Sequence, residues 1–369
     1  MIRTAIIGTG MVANFAHIPA LKNRADVYTI VGVCDKNEKS AADTASRHGI
    51  DYHTTDAASL IADTKPDLVT ICVPNRFHAP YIRMALEAGA NVICEKPMAL
   101  TYAEAVELFA LAESKGKLLT ACQSMRFTPD RLEAKEMIAA GALGEINYGE
   151  FARIRRRGIP KWGAFHIDAL NGGGCFVDIG VHMLDALVWL MGETEVVSVT
   201  GTKSAHIAHK KSQLASGLRE AGALTGATLS DKVYSEEEFD VEDFASGSIL
   251  FAGGKRVNFK VAWAANLPDE TSIILAGDEA GIKLPDYTFW GGFAGRQADI
   301  SPKLTRTNPY PKEEFGGHFQ LYDHLTDVLS GSCECMIRAE ETIAVSAIID
   351  LFYRSCAEGR EISFSELQK

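Results

Sequence analysis

Between Gly172 and Gly192 the 369-residue chain is almost wholly apolar, and only Asp178, His182 and Asp185 interrupt it. Read as a helix, the spacing i, i+4, i+7 puts the three on one narrow polar stripe of an element that must otherwise be buried. Burying a carboxylate and an imidazole without partners costs several kcal/mol, so the stripe needs a reason. One is structural: a solvated edge or an internal His–Asp hydrogen bond. The other is chemical, a base with an orienting acid. An imidazole titrating at about 6.5 can take a proton from an alcohol while hydride leaves the carbinol carbon, and oxidation should then speed up with pH through that titration. A lysine at the end of an apolar run, in Glu95-Lys96-Pro97, and the polar group Pro74-Asn75-Arg76-Phe77-His78 after another such run add to the chemistry on offer. Taken alone, a lysine there is a solvated turn residue, and Asn75 stabilises the turn after proline.

Elements that could position these groups are legible upstream. Residues 3–7 lead directly into Gly8-Thr9-Gly10-Met11-Val12-Ala13, a G-x-G-x-x-A turn. Gly8 permits the tight reversal, Gly10 lets backbone N–H groups near a pyrophosphate, and Ala13 lets the following helix pack close with its positive end toward the phosphates. The next apolar run, Tyr28–Cys34, ends in Asp35, where a carboxylate can accept hydrogen bonds from an adenosine ribose; a turn or capping aspartate is the plainer alternative. Like charge toward a 2′-phosphate favours NAD over NADP, although Lys36 and Asn37 beside it leave NADP open. The runs 5–7, 28–34, 68–73, 91–94 and 118–121 read as buried parallel strands, separated by helical patterns at 11–21, 39–48, 79–88 and 102–115, the last opened by a Thr101/Glu104 capping box. The predicted fold is α/β: an N-terminal Rossmann domain, with a doubly wound parallel sheet, over residues 1–122.

From Gly144 onward longer, partly alternating strands predict a C-terminal α/β domain with a large, mostly antiparallel open sheet over 123–338, and residues 339–369 return as a helix toward the first domain. Residues 203–241 read as an inserted lobe or mobile loop, and 286–317, rich in proline and glycine, as a long irregular segment. A net charge of −11, from 37 basic and 48 acidic residues, disfavours nucleic acid as a partner. The eight cysteines form no CxxC pair, so neither a disulfide framework nor a zinc site is expected, in keeping with a reducing cytoplasm. The start lacks a signal-peptide pattern, and no uninterrupted apolar run reaches about 18 residues, so no membrane partner is expected.

In their order and spacing, residues 5–10, Val73-Pro74-Asn75 with His78, Glu95-Lys96-Pro97 and the triple-glycine helix with Asp178 and His182 resemble the Gfo/Idh/MocA oxidoreductases over nearly the whole chain. The resemblance implies hydride transfer between a nicotinamide and a secondary alcohol of a sugar or polyol, and assembly as homodimers or homotetramers. It implies Lys96, Asp178 and His182 as catalytic residues: Lys96 on the reacting oxygen, His182 as base, Asp178 as a substrate-binding or orienting carboxylate. It implies cofactor contacts from Gly8, Gly10, Met11, Val12, Asp35, Lys36, Pro74, Asn75, His78, Glu95, Lys96 and Trp162, and no metal. Glycine after Trp162 departs from the arginine of many relatives. A redox-neutral NAD-dependent glycosidase and a dinucleotide-sensing regulator share the scaffold. Pocket walls are expected from Arg155, Trp162, His166, Asp168, Tyr310 and His318. Few basic residues are expected there, which favours a free sugar, glycoside or inositol over a phosphorylated one.

Overall fold

A computed structural model describes residues 1–210, 234–312 and 315–368 of the chain. Six parallel strands form the first sheet: β1 (Ile2–Ile7), β2 (Tyr28–Cys34), β3 (His53–Thr54), β4 (Leu68–Ile71), β5 (Asn91–Cys94) and β6 (Leu119–Ala121). Their spatial order is β3-β2-β1-β4-β5-β6. The order reverses between β1 and β4, and a doubly wound sheet opens its ligand crevice at such a reversal, beyond the carboxyl ends of the strands. Strands β1, β4 and β5 are buried along nearly their whole length, because helices cover both faces.

Nine strands form the second sheet: β7 (Ile146–Ile154), β8 (Val196–Ser204), β9 (Phe244–Phe251), β10 (Arg256–Ala262), β11 (Glu270–Gly277), β12 (Ala280–Leu284), β13 (Thr288–Phe293), β14 (Arg296–Ile300) and β15 (Ile362–Ser363). They run in the order β14-β13-β12-β11-β7-β10-β9-β8-β15. Only β7 and β10 pair in parallel; every other pairing is antiparallel. Part of the segment read as irregular, 286–317, is therefore the β13–β14 hairpin. Its two-residue turn puts Ala294 at φ 51° and Gly295 at φ 74°, left-handed values that match the twist of a hairpin. The prolines and glycines that suggested an irregular segment lie largely outside the two strands.

The helix Ala339–Glu358 sends Val345, Ile348, Ile349 and Phe352 into the core of the second sheet. The helix Gly316–Leu329 instead places Phe319, Leu321, Tyr322 and Leu325 in the core of the first, although its sequence position lies within the second unit. Thus the C-terminal third of the chain supplies side chains to both cores. Of the inserted segment expected at 203–241, residues 211–233 lie outside the described residues. The helical stretch Asp168–Met191 is long and apolar enough to cross a membrane by length and composition, and 83% of its most apolar window is buried inside the protein. Its residues Cys175–Leu190 supply much of the core of the second sheet.

Candidate active site

The phosphate-binding turn forms as its glycines require. Gly8 sits at φ 94°, and a Cβ there would lie 2.5 Å from the carbonyl oxygen of Cys72, so no other residue fits without moving β4's end. Gly10 faces open space: a Cβ would meet nothing within 4 Å, which leaves its backbone bare to a ligand. Both glycines line a cavity of about 670 Å³ that runs from the β2 tip to the helix of the second domain that carries Asp178 and His182. Asp35 Oδ2 accepts from the Thr9 N–H at 2.8 Å and the Thr9 hydroxyl at 3.1 Å, and Oδ1 accepts from the Asn37 N–H at 2.9 Å. The carboxylate therefore ties the β2 tip to the turn while still lining the cavity.

At the other end, the helix from Phe176 to Met191 begins with a π-helical turn, Phe176–Gly180, of the kind frequent at functional sites. The buried Glu242 carboxylate accepts from the Gly174 N–H and the Phe176 N–H, each at 3.0 Å, and from the Tyr353 hydroxyl at 2.9 Å, so it caps the helix start. The approach demands glycine: a Cβ on Gly174 would sit 2.1 Å from the Glu242 carbonyl oxygen, and one on Gly173 2.0 Å from the Tyr353 hydroxyl.

Lys96 reaches across from β5, and its Nζ donates to the Asp178 carbonyl at 2.7 Å and to Asp178 Oδ1 at 3.2 Å. Asp178 Oδ2 accepts from Trp263 Nε1–H at 2.9 Å. Asp178 thus orients Lys96, where the sequence pairing suggested that it would orient His182. His182 lines the same cavity, with Nδ1 buried and unpartnered. Burial, and then the Lys96 ammonium nearby, push its pKa well below the usual imidazole value. The ring is neutral at pH 7, and the expected rise of activity through a titration near 6.5 moves to more acid pH. Asp185, the third member of the apparent stripe, leaves the site: it is buried and takes Arg126 in a bidentate pair at 2.7 and 2.6 Å.

Gly8, Gly10, Met11, Val12, Asp35, Lys36, Pro74, Asn75, Glu95, Lys96 and Trp162 all line the cavity, together with Asp178 and His182. His78 does not. Its Nδ1 lies 2.8 Å from the Pro97 carbonyl and its Nε2 2.9 Å from the Val73 carbonyl, so the buried ring braces the two strand-end loops against each other. Asn75 donates to the Asn171 carbonyl at 2.9 Å, linking the domains. Trp162 packs on Met11 of the turn and on Phe165, and its Nε1–H is buried without a partner, a donor left for a bound group. Bare turn backbone, an open Gly10 and this orphaned donor fit a dinucleotide.

On the cavity wall, Glu95 Oε1 meets His318 Nε2 at 3.4 Å and, behind the wall, the buried His17 Nε2 at 2.8 Å. Burial alone would raise the Glu95 pKa, but the hydrogen bonds from the two histidines outweigh it and hold the carboxyl well below its ordinary value. His17 Nδ1 meets the Tyr322 hydroxyl at 2.9 Å. Potential ligand atoms of His17, Glu95, Cys122 and His318 converge within 4.8 Å, a grouping that no short sequence motif announces. With both His17 nitrogens and Glu95 already satisfied by one another and by Tyr322, hydrogen bonding accounts for the cluster.

Of the six residues expected in the pocket walls, Arg155, Trp162 and His318 are there. Asp168 instead pairs with Arg76 at 2.9 Å, Tyr310 donates to Asp323 at 2.6 Å, and His166 is buried against Tyr234. The expected shortage of basic groups is corrected too, because Arg153 joins Arg155 and Lys96 on the cavity wall. Arg153 and Arg155 are two apart at the end of β7, and this period-2 signal could have revealed them. Trp263 had no local signal.

An NAD-binding Rossmann crevice, closed by a helix that carries a lysine-bound aspartate and a neutral histidine, defines a nicotinamide-dependent oxidoreductase. Residues 2–122 match the description "Oxidoreductase family, NAD-binding Rossmann fold" and residues 132–283 the "GFO/IDH/MocA C-terminal domain", and the chain belongs to this Gfo/Idh/MocA family. It is 35% identical to the D-glucoside 3-dehydrogenase of Escherichia coli K12, over 98% of this chain and 97% of the relative. It is 27% identical to the inositol 2-dehydrogenase of Rhizobium meliloti, over 99% of each. The solved structure of levoglucosan dehydrogenase with NADH and levoglucosan superposes with a TM-score of 0.79 at 20% identity, covering 98% of this chain and 99% of the other.

Proposed function

We propose that the protein is an NAD-dependent dehydrogenase that oxidises a secondary alcohol of a sugar, glycoside or inositol, or reduces the matching ketone. The observation that carries the reading is one cavity lined by the phosphate turn, Lys96, Asp178 and His182 together. The similarity to a glucoside and an inositol dehydrogenase supports the substrate class. Bound along the turn, NAD supplies the hydride acceptor. Lys96, held by two Asp178 oxygens, points a cation at the reacting oxygen and stabilises charge that develops there. His182, neutral and with Nδ1 sealed away, has Nε2 left to take the hydroxyl proton, and it returns that proton in the reverse direction. Trp162, Phe165 and Phe315 exclude water from the reacting face. The carboxylate of Asp35 supports a preference for NAD over NADP. Exposed Phe293, Trp290 and Ile300 on the β13–β14 hairpin support assembly through the second sheet as a homodimer or homotetramer.

The test is a screen of sugars, glycosides and inositols with NAD, read at the reduced-nicotinamide absorbance band. Net NADH formation with a member of that class is expected. Glycoside cleavage without net NADH would replace the dehydrogenase with a redox-neutral glycosidase, and no response across the class would remove the reading.

A further inference from the structure

One cation on the cavity wall, Arg153, is paired with no carboxylate among the described residues. Arg153 lies on the wall of the cavity, at the end of the central strand β7, and one guanidinium nitrogen donates to the Thr271 hydroxyl. No carboxylate lies within ion-pair distance of it among the described residues, in contrast to Arg24, Arg76, Arg83, Arg126 and Arg338, which each hold one. Burial, and after it the charges of Arg155 and Arg131, push the Arg153 pKa down to about 10, while Asp178 works in the opposite direction. The carboxylates nearby are already engaged: Asp178 by Lys96 and Trp263, Glu95 by His17 and His318. A largely buried arginine keeps its charge, so some group must complement it, and its planar fork suits a carboxylate or a phosphate.

We propose that Arg153 is an anion-recognising group of the substrate site, and that the substrate is a sugar or polyol bearing a carboxylate or phosphate. The inference rests on the dehydrogenase reading and narrows it. Arg153, Asp178 and His182 line one cavity, so the anionic group is expected near the reacting hydroxyl. An uncharged sugar offers Arg153 only hydroxyl acceptors, which bind a guanidinium more weakly than a bidentate anion does.

The experiment compares D-glucose, D-galactose and myo-inositol with D-glucuronate, D-galacturonate and D-glucose 6-phosphate, on the NAD-loaded protein. Two readouts are taken: kcat/KM from NADH formation, and binding to the NADH-loaded protein by calorimetry. An anionic compound is expected to exceed its neutral counterpart by about 10-fold or more in affinity or kcat/KM, a factor worth about 1.4 kcal/mol. Uronates and the phosphate form separate arms, and the stronger response identifies which anion the site reads. Arg153→Gln should collapse the ratio toward one, and Arg153→Lys should retain part of it. Neutral sugars equal to or better than the anionic ones, including no response to either class in both readouts, overturn the proposal. A ratio unchanged in Arg153→Gln overturns it as well. If that variant does not fold, the wild-type ratio and Arg153→Lys decide. NADH formation with neutral sugars alone would sink the anion site and leave the dehydrogenase standing, whereas binding of anionic sugars without hydride transfer would do the reverse.

Discussion

Replacing Arg126 with methionine should destabilise the protein by an amount that its surroundings make calculable. The guanidinium is 0% exposed, forms a bidentate pair with Asp185 and bonds Glu341 with its remaining nitrogen. Asp185 lies three residues beyond His182 on the helix Val181–Met191, and Glu341 lies in the first turn of the helix Ala339–Glu358. The cluster therefore fixes the helix that carries His182 against the C-terminal one. Glu341 retains Arg338 at 2.7 Å, so the group stranded by Arg126→Met is Asp185, a buried carboxylate whose pKa burial already raises. Breaking such a pair from one side costs about 3–5 kcal/mol. With an unfolding entropy of about 2.1 cal/mol/K per residue, a chain of 369 residues loses about 0.8 kcal/mol per degree, which converts that cost into a Tm lower by about 4 to 6 °C. Scanning calorimetry at pH 7 measures it. The deficit should shrink toward pH 5, because a proton on Asp185 relieves the uncompensated charge, and Arg126→Met/Asp185→Leu should recover more than half of it. A fall below about 1 °C at pH 7, or a deficit independent of pH, would refute the reasoning.

Three other expectations concern the site. Lys96→Ala and His182→Ala should each lower kcat by about 100-fold or more, with NADH binding by fluorescence little changed, since positioned proton transfer contributes about 10²–10⁴; normal turnover would remove that residue from the mechanism. Because burial and the Lys96 ammonium keep His182 neutral, kcat/KM for oxidation should show no His182-dependent limb between about pH 6.5 and 8 and should fall only in more acid solution. A limb near pH 7 that disappears in His182→Gln would contradict that direction. Asp35→Ser should shift the ratio of kcat/KM values toward NADP by about 10-fold, equivalent to about 1.4 kcal/mol, and weaken both cofactors, since the Thr9 and Asn37 N–H groups lose their acceptor. An unchanged ratio would mean that Asp35 does not read the ribose.

The residues of the turn, the lysine and the helix with Asp178 and His182 were legible from the sequence because each sits in a local pattern whose physics is local. Gly8 must take a positive φ, the β1, β4 and β5 runs must be buried on both faces, and the sheet order then sends their ends to one crevice. Sequence spacing also placed Asp178 and His182 in that crevice together. It could not say which partner each polar group would meet, because those partners come from elements far away in the chain. Asp178 found Lys96 and Trp263, while Asp185, on the same apparent stripe, found Arg126. His78 closed on two carbonyls and left the cavity for the loops behind it. The helix Gly316–Leu329 carried Tyr322 and His318 to His17 and Glu95, across some 220 to 300 positions. Sequence alone determined the fold class, the nucleotide turn and the chemical types at the site, since those follow from backbone conformation and apolar period. The direction of the His182 pKa shift, the partners of Asp178 and the lack of a carboxylate on Arg153 among the described residues were decided only in the tertiary structure, where burial and long-range neighbours set the electrostatics.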